Sequence, residues 1–398
     1  MQNHLSRNLL KRILVSHNFL VAGRMFFEIF MSIFIWKQTQ NLEAVVWFNL
    51  AYLIMHIITF ISFSGLVKRG KIHLPRRMGL IGYALVYFVI YWLGVNSIDY
   101  IIPLGLAIGF VNGLYWVSYQ VIRFDLTHLK NRGNYTGWES ASKIGVEMVM
   151  PVLGGFIIFI GPSGYANLFL FGTILFLISF VIGNVKYEPK IKSRLHLRKT
   201  LREVVKNKEI LKSMLSYSFS GLGRTGSLSR VLLPLFIFII LKNEFHLGGW
   251  LSFFSIIAII SSLTLGKYVD YKHYKFFIVF GGCLYSGLIL SLIFFPSLTM
   301  YILFGILTKI VILFIKIPKR VISENLVNEV GAPQEHRIEY IAIREFFNIS
   351  LGRILSFVVL LFVAGLAIKQ LQFVLVILAV AVMIETWLLS GISLLTRS

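Results

Sequence analysis

Ionisable side chains lie well inside the long apolar runs of this sequence. Arg24 and Glu28 are four residues apart in the first run, and Lys143 and Glu147 repeat that spacing in the fifth. Residues four apart share one face of a helix, so each glutamate can form an ion pair with its base or exchange a proton. Glu28 and Glu147 are therefore the candidate proton-coupling residues, and the alternative for Glu28 is a purely structural ion pair. Glu139, nearer the cytoplasmic end of the fifth run, is expected to be a solvated helix cap, with a role in transport as the alternative.

Basic side chains outnumber acidic ones at these depths. Arg224, Lys309 and Arg353 lie in apolar runs of the second half of the chain. A charged side chain at the centre of a bilayer costs roughly 2.5–3.5 kcal/mol, so these groups should face each other or water rather than lipid. A central cavity with a net positive charge would favour an anionic or zwitterionic solute. Glycines on both sides of Arg224 weaken its helix, which makes this a candidate gate or a point of close helix contact.

Polar and aromatic residues of the second and fourth runs could complete that cavity. In the stretch NGLYWVSYQ, Tyr115 and Tyr119 share one helix face, and Asn112 and Trp116 share another. The alternative for these aromatic residues is packing, and the alternative for His56 is an interhelical hydrogen bond. The candidate substrate-cavity residues are Arg24, His56, Asn112, Tyr115, Trp116, Tyr119, Arg224, Lys309 and Arg353.

The composition places most of the chain in lipid. It has 398 residues, of which 57% are hydrophobic and 14% charged. About 20 apolar residues span a bilayer, and the sequence therefore predicts an all-α integral membrane protein with twelve transmembrane helices. The first run lacks the features of a cleaved signal peptide, so it is expected to remain as a span. The predicted spans are 13–37, 43–67, 78–95, 100–122, 139–161, 164–185, 212–241, 247–266, 276–295, 298–317, 338–366 and 369–393.

Positive charge marks one side of the membrane. The chain has 39 Lys and Arg residues against 17 Asp and Glu, and the bases concentrate at the amino terminus and in the even-numbered loops. By the positive-inside rule, both termini are cytoplasmic and the number of spans is even. The excess charge therefore reports topology, and no nucleic-acid partner is expected. The single cysteine, Cys283, excludes a multi-cysteine metal site, and no cofactor is expected.

One long hydrophilic insertion divides the chain near its midpoint, with six predicted spans on each side. A short amphipathic helix is expected within it, lying on the inner leaflet, because its bases favour anionic lipid head groups. Membrane lipids are therefore expected partners. The apolar face of this helix would consist of Leu195, Leu197, Leu201 and Val205. The predicted domains are an N-terminal six-helix bundle at 1–186, a basic cytoplasmic linker at 187–211 and a C-terminal six-helix bundle at 212–398.

The loop between the eighth and ninth runs carries a local motif. In LGKYVDYKHYK, Gly266 is followed four residues later by Asp270 and then by Lys272 and Lys275. Together with the six-plus-six arrangement and the basic central loop, this motif resembles the major facilitator superfamily. The resemblance implies that Asp270 caps a neighbouring helix end and that the two lysines latch the closed cytoplasmic side.

A second motif lies in the fifth run. Pro151, Gly154 and Gly155 in GVEMVMPVLGG match a Pro-x-x-Gly-Gly motif typical of exporters in the same superfamily, and the resemblance is thus to its bacterial efflux-type members. Simple packing of small residues is the alternative. Near the cytoplasmic end of the eleventh run, Arg344 and Glu345 could form a gate-closing salt bridge. The predicted gating set consists of Gly266, Asp270, Lys272, Lys275, Arg344, Glu345, Pro151, Gly154 and Gly155.

These features predict a transporter rather than an enzyme, because no cluster of nucleophile, base and orienting acid is recognisable. No Walker-type phosphate loop is present, so ATP is not the expected energy source. The expected function is secondary active transport by alternating access, in which protons drive export of a small anionic, zwitterionic or amphipathic organic solute. The expected working form is a monomer in the cell membrane. Proton-coupled solute uptake and lipid or lysolipid translocation on the same fold are the alternatives.

Overall fold

The computed structural model describes residues 2–126, 129–161, 163–184, 195–265, 273–329, 337–364 and 368–392. These residues form helices joined by short turns, and no β-strand occurs among them. Three predicted gating residues, Gly266, Asp270 and Lys272, lie outside the described residues.

The apolar runs of the first half fold into long helices. A π-helical turn, π1 (Phe27–Met31), joins α1 to α2, and a 3-10 segment (Gly94–Tyr100) joins α4 to α5. The helices are α1 (Gln2–Phe26), α2 (Ser32–Thr39), α3 (Leu42–Lys68), α4 (His73–Leu93), α5 (Ile101–Leu126), α6 (Leu129–Ile160) and α7 (Gly164–Gly183).

The second half begins with a short helix from the hydrophilic insertion and continues with long apolar ones. Two further π-helical turns occur, π2 (Leu228–Leu232) before α10 and π3 (Ile349–Ile354) between α14 and α15. The helices are α8 (Leu197–Lys206), α9 (Lys208–Gly223), α10 (Leu233–Leu241), α11 (Glu244–Leu265), α12 (Tyr274–Phe294), α13 (Leu298–Glu329), α14 (Arg337–Asn348), α15 (Leu355–Ala364) and α16 (Ile368–Ser390).

The first apolar run of each half is built in the same way. Helix α1 continues through π1 into α2 and ends at Gln40, whose φ of 50° is left-handed. In the second half, α9 is followed by π2 and α10, and the run ends at Lys242 with a φ of 51°. An asparagine then accepts a hydrogen bond from a backbone N–H near the start of the next helix, at 2.7 Å for Asn41 and 3.0 Å for Asn243. This match supports the view that the halves are two copies of one unit.

Eleven stretches of the described residues are long and apolar enough to cross a membrane. One of them, His73–Arg123, has 51 residues and contains both α4 and α5. These two helices pack side by side. Their close contact is seen at Gly79, where an added Cβ atom would lie only 2.9 Å from the backbone nitrogen of Tyr115. The protein is therefore an all-α, multi-pass membrane protein.

Residue contacts divide the chain into two compact units. The first unit comprises Met1–Leu195 and Asn243–Ser252, and the second comprises His196–Lys242 and Phe253–Ser398. Helix α11 thus contributes its first turns to the first unit. There, a Cβ atom at Gly248 would lie 2.8 Å from the carbonyl carbon of Pro151 in α6.

Helix α8 packs against the second unit. Its residues Thr200 and Val204 are buried, whereas Leu201 and Val205 are exposed. The amphipathic helix predicted from the insertion is therefore confirmed over 197–206. The buried residues Thr200 and Val204 lie beside the predicted apolar face. Leu201 and Val205 of that face are therefore not covered by the second unit to the same extent.

Helix α9 and π3 touch backbone to backbone within the second unit. A Cβ atom at Gly221 would lie 2.8 Å from the Cα atom of Gly352 and 3.0 Å from the nitrogen of Arg353. Helix α9 ends two residues later, at Gly223. The glycines near Arg224 thus permit close helix contact, and the helix is interrupted at Arg224 itself.

Replacing Gly221 by alanine should lower the midpoint of thermal unfolding, because the added methyl group forces two backbones apart. Overpacking of this kind typically costs about 1–3 kcal/mol. The matched control is Gly287→Ala in α12, where an added Cβ meets nothing within 4 Å. Thermal unfolding of both variants in detergent, followed by tryptophan fluorescence, makes the comparison, and equal midpoints would contradict the close contact.

Candidate functional site

The ion pair of Arg24 and Glu28 forms where α1 meets π1. The Nη2 atom of Arg24 donates a hydrogen bond to Oε1 of Glu28. The guanidinium carbon also lies 5.2 Å from the centroid of the Trp116 ring, in cation–π geometry. The two charged side chains are 12% and 26% exposed, so the pair is partly accessible. A π-helical turn interrupts the regular helical hydrogen-bond ladder and is frequent at functional sites.

A second predicted pair lies on α6. The Nζ atom of Lys143 is 3.5 Å from Oε1 of Glu147, and the side chains are 53% and 33% exposed. Exposed pairs of this kind contribute about 0–1 kcal/mol to stability. Both pairs predicted from i,i+4 spacing therefore form, and the pair on α1 is the more enclosed.

A buried hydrogen-bond network joins α3, α4 and α5 around Asn112. Its Oδ1 atom accepts a hydrogen bond from the Tyr83 hydroxyl at 2.5 Å. Its Nδ2 atom donates to the Tyr52 hydroxyl at 3.0 Å and lies 2.5 Å from Nδ1 of His56. All four side chains are buried. The interhelical hydrogen bond considered for His56 is confirmed, and this polar group lies in the interior of the first unit.

Tyr115 and Tyr119 enclose His17 of α1. The Nδ1 atom of His17 lies 2.8 Å from the Tyr115 hydroxyl, and its ring stacks on Tyr119 with centroids 3.9 Å apart. Trp116 packs edge-on against the same imidazole at 5.6 Å. His17, Tyr115 and Tyr119 are buried, whereas Trp116 is half-buried. Sequence reasoning missed His17, and its only signal is a lone histidine within the first apolar run.

Glu139 extends this aromatic cluster. Its Oε1 atom accepts a hydrogen bond from the Tyr119 hydroxyl at 2.5 Å, and its Oε2 atom lies 2.9 Å from Nε of Arg123. The prediction of a solvated helix cap is therefore wrong for Glu139. The carboxylate is largely enclosed because an arginine and a tyrosine of α5 hold it.

The second unit contains a buried group of three charges. Arg224 donates to Glu385 through Nε and Nη2, both at 2.6 Å from carboxylate oxygens. Lys319 donates to Oε1 of the same carboxylate at 2.8 Å and to the carbonyl oxygen of Ser216 at 3.0 Å. The Lys319 ammonium also lies 4.2 Å from the centroid of the Tyr217 ring. We call Arg224, Lys319 and Glu385 the charge triad.

Sequence reasoning placed Arg224 in a cavity and missed its partner. Glu385 is a lone acid in the apolar stretch VMIETWLL of α16, which is the available signal. The side chains of the charge triad are almost completely buried. Arg224 therefore connects the end of α9 to α16 through a bidentate ion pair. Because Lys319 shares the same carboxylate, the charge triad keeps one net positive charge.

The remaining predicted residues of the second unit lie on α12, α13, α14 and π3. Arg353 in π3 and Lys309 in α13 are half-buried. Arg344 donates from Nη2 to Oε1 of Glu345 at 3.2 Å, so this predicted pair forms. Lys275 is exposed near the start of α12.

The two glycines of the proline-glycine motif in α6 admit close neighbours. A Cβ atom at Gly154 would lie 3.1 Å from a phenylalanine ring of α1, and one at Gly155 would lie 2.9 Å from the carbonyl carbon of Glu244. The Glu244 carboxylate accepts hydrogen bonds from Lys37 at 2.8 Å and from the Tyr165 hydroxyl at 2.9 Å. Within the first unit, the motif therefore packs α6 against α1 and the start of α11.

Among the described residues, no group of three or more His, Cys, Asp or Glu side chains could hold a metal ion. Cys283 is a free, exposed thiol on α12.

Comparison with protein families and curated proteins adds independent information. The family model of the Major Facilitator Superfamily matches residues 19–318. The chain is 24% identical over 339 residues to the uncharacterized protein YqgE of Bacillus subtilis (strain 168). The matched region covers 85% of this chain and 78% of YqgE. It is 28% identical over 171 residues to an uncharacterized protein in the sodM 3' region of Geobacillus stearothermophilus, covering 42% of this chain and 79% of that protein.

Solved transporters share the fold. A bacterial homologue of the iron transporter ferroportin, in an inward-facing state, superimposes with a TM-score of 0.66 at 14% identity, over 96% of this chain and 98% of that one. A bacterial homologue of the human lysosomal transporter Spinster, inward-facing and unoccupied, gives 0.68 at 13% identity, over 98% and 97%. At these identities the similarity shows the fold alone.

Replacing Glu385 by glutamine should destabilise the second unit strongly, because Arg224 and Lys319 would lose the carboxylate that both of them bind. Removing one partner of a buried ion pair typically costs about 3–5 kcal/mol. The same change at Glu209, which pairs with Lys212 at 3.1 Å on a more exposed surface, should have a small effect. Thermal unfolding in detergent measures both, and equal stability of the two variants would rule out a strong charge triad.

Proposed function

Because the chain belongs to the Major Facilitator Superfamily, we propose that it is a secondary active transporter that works by alternating access. The family and the fold point to transport rather than catalysis. The substrate is a small anionic, zwitterionic or amphipathic organic solute, and its export across the cell membrane is coupled to protons. The working form is a monomer with twelve spans and both termini in the cytoplasm.

The Arg24–Glu28 ion pair is the observation that carries this proposal. It joins a titratable acid to a base in an interrupted part of the first helix, and it remains partly accessible. Protonation of Glu28 removes the negative charge that would bind a cationic group of a zwitterionic or amphipathic solute. A proton and the solute therefore compete for this carboxylate, and such competition is what proton-driven export by exchange requires.

Glu147 is the second proton-coupling candidate. Its partner Lys143 lies 3.5 Å away, and both side chains are more exposed than those of the pair on α1. An exposed carboxylate is coupled more weakly to its base. Glu147 therefore serves as an accessory proton site, and Glu28 is the main one.

The solute site is built from accessible residues supported by buried ones. Arg24 supplies a cation and Trp116 an aromatic face beside it, at 5.2 Å. In the second unit, Lys309 and Arg353 are half-buried and remain candidate solute-binding residues. The residues His56, Asn112, Tyr115 and Tyr119 are buried, so they position the helices that carry this site. Arg224 acts with Glu385 to hold the second unit together.

Export is the proposed direction of transport. The support comes from the match of Pro151, Gly154 and Gly155 to the exporter-type sequence motif, and the close packing of the two glycines agrees with the structural alternative. Gating at the cytoplasmic end is assigned to Gly266, Asp270, Lys272 and Lys275 by the loop motif, and to the Arg344–Glu345 pair, which spans 3.2 Å.

Proton-driven flux should be lost in Glu28→Gln, because glutamine cannot release a proton and leaves Arg24 permanently without its anion. A solute is first found by thermal stabilisation of the purified protein with a panel of organic anions, zwitterionic peptides and amphipathic drugs. Flux of that solute is then measured in proteoliposomes with an imposed pH gradient. We expect gradient-driven flux to fall at least tenfold, while exchange of solute without a gradient persists.

Glu43→Gln provides the matched control, because Glu43 lies in the first turn of α3 and belongs to neither glutamate pair. Gradient-driven flux that survives in both Glu28→Gln and Glu147→Gln would disprove the proton assignment. The sign of the driven flux separates export from uptake. Movement of labelled lipid in the same vesicles, without solute transport, would support the lipid-translocating alternative instead.

A further inference from the structure

Helix α8 has one apolar surface that packs within the protein and a second that is exposed. Val204 is buried in a cluster formed by α8, α9 and α14, and Leu197 packs against it. The other cluster members are Ile210, Met214, Tyr340, Ile343 and Phe347. This surface fixes the orientation of α8 on the second unit.

The second apolar surface is exposed. Leu201 and Val205 are 42% and 54% exposed, and they are four residues apart. At about 100° per residue, Leu201 lies about 50° and Val205 about 90° around the helix from the mean direction of Val204 and Leu197. An exposed pair of this kind beside a docked face is typical of a helix that also contacts a membrane surface.

A basic stripe borders the exposed apolar pair. Four basic side chains of α8 are exposed, and their positions fall on the sector next to Leu201 and Val205. These bases are Arg198, Lys199, Arg202 and Lys206. Helix α8 also continues through Asn207 directly into α9, the first membrane helix of the second half, so the stripe lies close to the end of a span.

We propose that this surface of α8 is a binding site for anionic phospholipid head groups of the adjoining leaflet. Leu201 and Val205 enter the boundary between head groups and acyl chains. The arginines and lysines bind phosphates at the same depth, because long basic side chains extend from an apolar surface towards the polar layer. The partner is thus a lipid surface, and its recognition rests on charge as well as on apolar contact.

Lipid binding at this site is connected to α14. The buried Glu339 of α14 accepts a hydrogen bond from the backbone nitrogen of His196, just before α8, at 3.0 Å. Tyr340 and Ile343 of α14 belong to the cluster that contains Val204. A head group that holds α8 in place therefore also stabilises the cytoplasmic half of α14. This inference concerns lipid binding and does not depend on the proposed transport activity.

An environment-sensitive fluorophore on α8 tests the proposal. Cys283, the only cysteine, is replaced by serine, and Val205→Cys is labelled with a nitrobenzoxadiazole probe. The full-length protein is placed in nanodiscs of phosphatidylcholine alone or mixed with phosphatidylglycerol. We expect a blue shift of the emission in the anionic discs and loss of that shift in Arg198→Gln/Arg202→Gln.

The matched control removes two exposed bases elsewhere, in Lys11→Gln/Arg12→Gln of α1, and should keep the shift. Gel filtration confirms that each variant is folded before reconstitution. The proposal is overturned if emission is the same in both kinds of disc, or if both double variants lose the shift equally. It is also overturned if soluble glycerol phosphate reproduces the shift in phosphatidylcholine discs, since the ligand would then be a free phosphate.

Discussion

A charge inside an apolar helix bundle needs an opposite charge within hydrogen-bonding reach, and much of this structure follows from that requirement. The two units meet it differently. In the first, Arg24 and Glu28 satisfy each other from one helix and its π-helical turn, and the pair stays partly accessible. In the second, Glu385 holds Arg224 and Lys319 from two other helices in a nearly solvent-free interior. A pair that can open without moving helices suits a titrating role, whereas three charges fixed between helices suit a structural one.

Much of the fold could be predicted from the sequence, because lipid as a solvent leaves few alternatives to long apolar helices. The pairs at i,i+4 spacing were predictable for the same reason, since Arg24–Glu28 and Lys143–Glu147 depend only on helix geometry. The partner of Arg224 was not, because Glu385 lies 161 residues away and helix periodicity carries no information over that distance. The same limit applies to the stacking of His17 on Tyr119.

The irregular turns of the first run in each half show a second limit of sequence reasoning. Gln40 and Lys242 adopt left-handed conformations without being glycine, and π1 has no sequence signature comparable to Pro234, which follows π2 at the start of α10. Their agreement between halves becomes visible only in the backbone. Glu28 lies in π1, where the wider turn interrupts the regular helical hydrogen-bond ladder beside its carboxylate.

The position of Glu385 in the chain also has a consequence for biogenesis. Arg224 precedes it by 161 residues and Lys319 by 66, so the ribosome has made both cations long before their counter-ion. Until α16 is translated, α9 and α13 carry charges that neither lipid nor neighbouring apolar helices can neutralise. The nascent second half must therefore remain beside the translocon, or partly hydrated, until this late helix arrives. Its arrival sets the earliest moment at which the half can leave the insertion machinery as a finished bundle.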